Sequence, residues 1–394
     1  MSTGAAELLQ DTGGTITDAA PTAPGEIAAR SPLALFWRRL RRDKVALIAL
    51  TFIVLLIVVA LFAGQLVKLF GAHPPNAQNS NALDDFGSAA APGHGYLMGT
   101  DALGRDVFSR TLYGARVSLE VAFLATGLIV VIGVTLGMIA GYYRGFVDTA
   151  LSRSMDVVLA FPVLLLALGL GAACSLKGCL TASAVGRDLF IAGALVMLIP
   201  VLTTAVSQAR GRPGFNAISG SDWVLRLAPG GLIIVLGLIF SFLVPSKKTL
   251  IEPGLPVVIF VITLAGWPYM ARIIRGQVLS LREKEFVEAA RSLGASDARI
   301  IFRHILPNLV APIIVYTTLL IPTNILFEAA LSFLGVGVQP PTASWGAMIA
   351  DAISIFDTAW WYMTAPGVAL LLTVLAFNLI GDGLQDALNP RTGR

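Results

Sequence analysis

Long apolar runs separated by short polar connectors dominate the chain. Six stretches, at about 45–64, 118–140, 156–173, 256–274, 310–330 and 364–382, are each roughly the length an α-helix needs to cross a ~30 Å hydrocarbon core. Two weaker runs lie near 189–207 and 227–245. Just before the second run the pattern becomes amphipathic. Val107, Phe108, Leu112 and Tyr113 recur at helical spacing against Arg105, Asp106, Ser109, Arg110 and Arg116. That predicts either a helix lying on the membrane surface or a packed lid over one mouth of the bundle. The fold class is all-α: a polytopic membrane helical bundle of six core spans plus two inserted ones.

Composition agrees, because only 13% of the 394 residues are charged, against roughly a quarter in a soluble domain. So few charges could not solvate a soluble surface of this size. The net charge of +4 calls for no nucleic acid, since the basic residues flank the apolar runs. Arg38, Arg39, Arg41, Arg42 and Lys44 precede the first span and place the N-terminus inside. Threading eight spans from there puts 20 of the 28 Lys and Arg inside. Both termini are then cytoplasmic, and the expected location is a prokaryotic cell membrane.

Three regions follow. Residues 1–31 read as a disordered cytoplasmic tail, since 1–29 hold no Lys or Arg and no signal-peptide pattern. Residues 32–117 supply the first span and an extracytoplasmic segment. Residues 118–392 form the core, interrupted by an insertion at 173–255 that starts and finishes outside and crosses twice. Cys174 and Cys179 lie just beyond the third span, with Lys177 and Gly178 between them. They form either a short-loop disulfide or two unpaired, packed thiols. Their spacing matches no metal site.

The inside loop from Arg272 to Pro307 carries seven Lys or Arg and four acids. Ser280-Leu281-Arg282-Glu283 fits a capping box that starts a helix through Phe286, Val287, Ala290 and Leu293. Gly294 suits the left-handed position that ends it, and Ser296 can cap a second short helix before Pro307. A solvated loop would also fit, but Glu288-Ala289-Ala290, Gly294 and Leu306-Pro307 resemble the EAA motif of ABC importer permeases. His304 departs from that motif, which has Ile there. A second Glu-Ala-Ala, at 328–330, lacks the glycine and the Leu-Pro.

Three more stretches resemble the dipeptide and oligopeptide branch of that family, in the subunit type with an extended N-terminal span. They are Gly99-Thr100-Asp101 through Tyr113-Gly114-Ala115-Arg116, Glu328 to Gly335 with Pro340-Pro341 and Ser344-Trp345-Gly346, and Asn378 to Gly383 with Asn389-Pro390-Arg391. The resemblance implies a peptide permease whose Glu288, Ala289, Ala290, Gly294, Leu306 and Pro307 couple to an ATPase. Nickel complexes, glutathione or other small solutes are alternative cargo within the same family. It also implies the partners: a second homologous permease, two ATP-binding subunits holding ATP and Mg, and an extracytoplasmic solute-binding protein.

No Gly-x-x-x-x-Gly-Lys-Ser/Thr loop occurs, so this chain is expected to hold no nucleotide and to perform no catalysis. Charged or polar residues inside spans are the remaining candidates. Asn324 and Glu328 could line a substrate path or pair structurally, and Glu120 could do so or snorkel to the outer surface. Trp345, Trp360 and Trp361 read as interfacial anchors. A secondary transporter or channel would leave the elbow unexplained, and the scattered His73, His94 and His304 offer no catalytic constellation for a membrane enzyme.

Overall fold

The computed structural model describes residues 32–83, 87–93, 95–175, 179–181, 249–251 and 254–388. The expected tail, both weak runs of the insertion and Asn389-Pro390-Arg391 lie outside the described residues. Five helices among those described are long and apolar enough to cross a membrane, or six if one bent pair counts as a span.

The elements follow from local chemistry. After α1 (Pro32–Leu40), the Asp43 carboxylate accepts from the amides of Val45 and Ala46 at 2.9 and 3.0 Å, capping α2 (Lys44–Leu61). A short α3 (Ala63–Leu69) turns into a long polar loop. Asp106 then caps α4 (Val107–Tyr142), accepting from Phe108 and Ser109. The bent pair α5 (Phe146–Ala160) and α6 (Val163–Ser175) precedes α7 (Leu255–Leu281), α8 (Glu285–Ser292) and α9 (Asp297–Phe333). A short α10 (Trp345–Ala352) and α11 (Trp360–Leu388) complete the described chain.

The most extensive contact is α4 on α7, and glycine makes it possible. Gly133, Gly137 and Gly141 recur every four residues along one face of α4. A Cβ on Gly137 would sit 2.6 Å from the Ala271 carbonyl, and one on Gly141 2.7 Å from Val278 Cβ. Small residues at this spacing let membrane helices approach backbone to backbone. Around that seam Ile129, Met138, Met270, Ile274 and Val278 form the main core. A second core joins α2, α4, α9 and α11 through Ile53, Leu119, Ile325 and Phe377. The two ends of the bundle differ: loop 70–106 and α10 form a cap at one, and α8 forms an elbow at the other. The start of α2 touches the end of α11 (Ala46 against Gly383), so both described chain ends lie at the elbow end.

Several sequence expectations are corrected. The third span is not one helix: α5 and α6 meet at an 83° bend, because Pro162 pushes Phe161 into an extended conformation (ψ 136°). The amphipathic stretch before Ser118 is no separate surface helix. It is the first turns of α4, and the 117/118 boundary falls inside that helix. Among the described residues the fold is helical apart from two isolated bridges in the loop before α4 and a three-residue antiparallel ladder pairing Cys179 with Ile251 and Thr181 with Thr249. This ladder brings the start and finish of the insertion together at the cap end. Cys174 lies in the last turn of α6 and Cys179 opens the ladder, while their side chains lie outside the described set.

Candidate functional site

The elbow is built as a rigid reverse turn. α7 runs through Ser280 and ends at Leu281, inside the expected capping box, so Ser280 starts no helix. The Arg282 amide still bonds the Val278 carbonyl at 2.9 Å, and Glu283 pairs with Arg144 instead. Helix continuation outcompetes the local cap, and α8 begins later, at Glu285, with Lys284 before it and no side-chain cap. Its end follows the predicted glycine rule in full. Gly294 has φ +77°, its amide bonds Arg291 O at 2.9 Å, and the Ala295 amide bonds Ala290 O at 3.0 Å. Those two bonds are the Schellman closure.

Ser296 precedes the next helix without a side-chain hydrogen bond. That helix is no separate short element: it runs on into α9, with a π-helical stretch at Ile300–Ile305. The Leu306 amide reaches back to Ile301 O, and Asn308 Nδ2 covers the His304 carbonyl at 2.7 Å. Pro307, which has no amide to donate, sits where this widened register returns to α-helix.

The six motif residues separate into two sets. Val287 and Ala290 turn inward with Ile300, Ile305 and Leu309, and Leu306 packs on the same core. Glu288, Ala289, Gly294 and Pro307 remain exposed. Ala290 therefore serves this chain's own packing, and only Ala289 offers close approach to something else. Two apolar residues are exposed as well: Leu293, which the spacing put in the helix, at 88%, and Phe302 at 64%. Their exposure beside Gly294 makes an apolar knob at the tip of the molecule. A hydrophobic residue immediately before a C′ glycine was the signal for it.

The elbow is fastened to α4. Tyr142 Oη donates to Asp297 Oδ1 at 2.6 Å, and Arg282 Nη1 donates to the carbonyls of Gly141 and Tyr142 at 2.9 and 3.2 Å. These bonds join the elbow to the end of α4 beside the α4–α7 seam. The glycine stripe on α4 is the part of this machinery that residue-by-residue reading missed, although its four-residue repeat is written plainly in the sequence.

Inside the spans, Asn324 and Glu328 are buried and line no described cavity. Asn324 Nδ2 donates to Thr126 Oγ1 at 2.8 Å, and the Glu328 carboxylate accepts from Ser118 and Ser332 at 2.7 and 2.8 Å. Both side chains tie α9 to α4. Glu120 is exposed at one end of an apolar groove of about 850 Å³ between α4 and α7.

At the cap, Asp101 binds Arg105 Nε at 2.6 Å and stands 3.6 Å from Arg110 Nε, all three side chains nearly sealed from solvent. Two of the expected interfacial tryptophans belong to this cap. Trp345 Nε1 donates to Thr111 O at 3.0 Å and Trp361 Nε1 to Thr100 O at 3.1 Å. Only Trp360 is exposed. An indole's single N–H, once buried, must find an acceptor, and here one finds a carbonyl in the first turns of α4 and the other a carbonyl of the cap loop.

A multi-pass helical bundle whose exposed elbow is bolted to its central seam is a membrane transport permease subunit. Comparison with known proteins makes this particular. Residues 133–394 match the family model described as binding-protein-dependent transport system inner membrane component, and residues 31–92 match the N-terminal TM domain of oligopeptide transport permease C. The chain belongs to the binding-protein-dependent transport system inner membrane component family. It is 33% identical over 371 residues to a dipeptide transport system permease protein of Alkalihalophilus pseudofirmus, covering 94% of each chain. It is 35% identical over 362 residues to a putative peptide transport system permease protein of Brucella abortus, covering 92% of this chain and 93% of that one. A glutathione transport system permease protein of Escherichia coli is also 35% identical, covering 92% and 91%.

Proposed function

We propose that this chain moves short peptides into the cytoplasm as one permease subunit of an ATP-driven importer. It works with a second homologous permease, two ATP-binding subunits that hold ATP and Mg, and an extracytoplasmic solute-binding protein. It performs no covalent chemistry itself. The elbow end, with both termini, faces the cytoplasm, as the concentration of Lys and Arg there supports. ATP binding closes the ATPase pair, the elbow moves with it, and the bundle rocks between inward- and outward-open states. In such a cycle nucleotide biases an element that already has two arrangements.

One observation carries this reading: Glu288, Ala289, Gly294 and Pro307 are exposed together with the Leu293 knob, while Ala290 and Leu306 are spent on internal packing. Peptide cargo rests on the relatives, two of which are named for dipeptides or peptides. Glutathione, itself a tripeptide, falls in the same chemical class. Co-purification tests the docking. Leu293→Asp should lose the ATPase subunits while retaining the second permease and inserting normally, and retention of the ATPases at wild-type levels would refute the reading.

A further inference from the structure

Between the ends of α4 and α7 and the elbow helix lies a polar cavity of about 380 Å³, lined by Tyr142, Arg144, Arg282, Glu283, Glu288 and Arg291. Among the lining side chains three guanidiniums face two carboxylates, and Asp297 stands behind them on the Tyr142 hydroxyl. Its most buried arginine is Arg282, whose side chain is only 10% exposed. Arg282 Nη1 is occupied by the carbonyls at the end of α4. Its Nε is buried, has no hydrogen-bond partner, and stands 3.6 Å from the Glu283 carboxylate. Burial, and then the like charge of Arg144, push this guanidinium below its usual range. A buried donor left unmade is costly, and an anion in the cavity would satisfy it.

A second observation says what kind of anion. The turn beside the cavity exposes Tyr143, Phe146 and Val147, with Phe146 76% exposed, on either side of Arg144. The cavity itself opens where α4 and α7 both end, with Tyr142 two residues past the apolar run 118–140 of α4. An arginine-lined pocket at that depth with an apolar collar matches a molecule having a charged head and greasy tails. We infer that the Arg144–Arg282–Arg291 cavity is a binding site for the phosphate headgroup of an anionic membrane lipid. The headgroup phosphate accepts from Arg282 Nε and Arg291, and the acyl chains lie along Tyr143, Phe146 and Val147. Because Arg282 also holds the last carbonyls of α4, the lipid is positioned to stiffen the joint between elbow and seam.

The test uses the assembled transporter without nucleotide, in nanodiscs of phosphatidylcholine alone or with added phosphatidylglycerol. Lipid retained through purification is counted by mass spectrometry. Wild type should hold phosphatidylglycerol in preference to phosphatidylcholine. Arg291→Gln should weaken that preference about fivefold, the factor one basic residue near an anionic surface contributes, and Arg291→Lys should keep most of it. Arg282→Gln should abolish it. If that variant fails to assemble, the exposed Arg291 and the double variant Arg144→Gln/Arg291→Gln carry the test. Phosphatidylglycerol retention unchanged in Arg291→Gln would overturn the inference. Displacement of the lipid by millimolar inorganic phosphate would overturn it too, by showing a site for free phosphate. The readout involves no ATPase coupling, so its failure is distinct from failure of the docking assignment.

Discussion

The two ends of this molecule treat charge in opposite ways. At the cap, Asp101, Asp106 and Arg110 are each 2% exposed or less, and their partners all come from the chain itself. At the elbow, Arg144 and Glu283 keep 71% and 60% of their side-chain surface, and apolar Leu293 stands open beside them. Buried charge must be satisfied internally, and the cap meets most of that need from its own residues, leaving Arg110 Nε with only the 3.6 Å pairing to Asp101. The elbow leaves apolar surface at the tip of a rigid turn, which is the mark of a surface awaiting a partner. Composition alone does not distinguish the ends, since both set arginines beside carboxylates. Who covers those residues does.

If the comparison holds, substitutions at the cap and seam should damage stability, and those at the elbow should damage transport. The largest stability loss is expected for Asp101→Ala. It strands Arg105 and Arg110 in a buried site and should cost about 3–5 kcal/mol, seen as a lowered unfolding midpoint in detergent. Gly137→Val comes next. Its side chain meets the Ala271 backbone, and overpacking of this kind costs about 1–3 kcal/mol, read from the same midpoint. Gly294→Val meets nothing within 4 Å and suffers only at its φ of +77°, a strain of about 1–2 kcal/mol. The bundle should persist while peptide uptake falls away. The smallest stability effect belongs to Arg144→Gln. It breaks a solvent-exposed pair with Glu283 and should shift stability by under about 1 kcal/mol. A cap variant without stability loss, or an elbow variant that unfolds the bundle, would break the contrast.

Much of this was legible in the sequence, for identifiable reasons. Span length follows from bilayer thickness, so the apolar runs located the helices. Gly294 was readable because only one local geometry needs a left-handed residue after an amphipathic turn. Legibility ended where the covering partner decides the outcome. The pattern from Arg105 to Ser118 is the same whether a helix faces headgroups or a protein cap, and only the loop carrying His73 and Asn76, which contacts Ser109 and Arg110, selects the latter. Ser280 to Glu283 satisfies a capping rule, yet Ser280 is still held in the last turn of α7, which ends at Leu281, and the next helix begins only at Glu285. Trp345 and Trp361 looked like membrane anchors until the carbonyls of Thr111 and Thr100 claimed their N–H groups. Ala289 and Ala290 are identical in sequence and opposite in use, which only the phase of α8 reveals.

The central claim is that the elbow tip enters an ATPase. A photo-crosslinking amino acid at Leu293 in the assembled transporter tests it most directly, with the same label at Leu103, a 48% exposed residue of the cap, for comparison. The account predicts an adduct with an ATP-binding subunit from position 293 and none from 103. Adducts to that subunit from 103 alone, with none from 293, would contradict it.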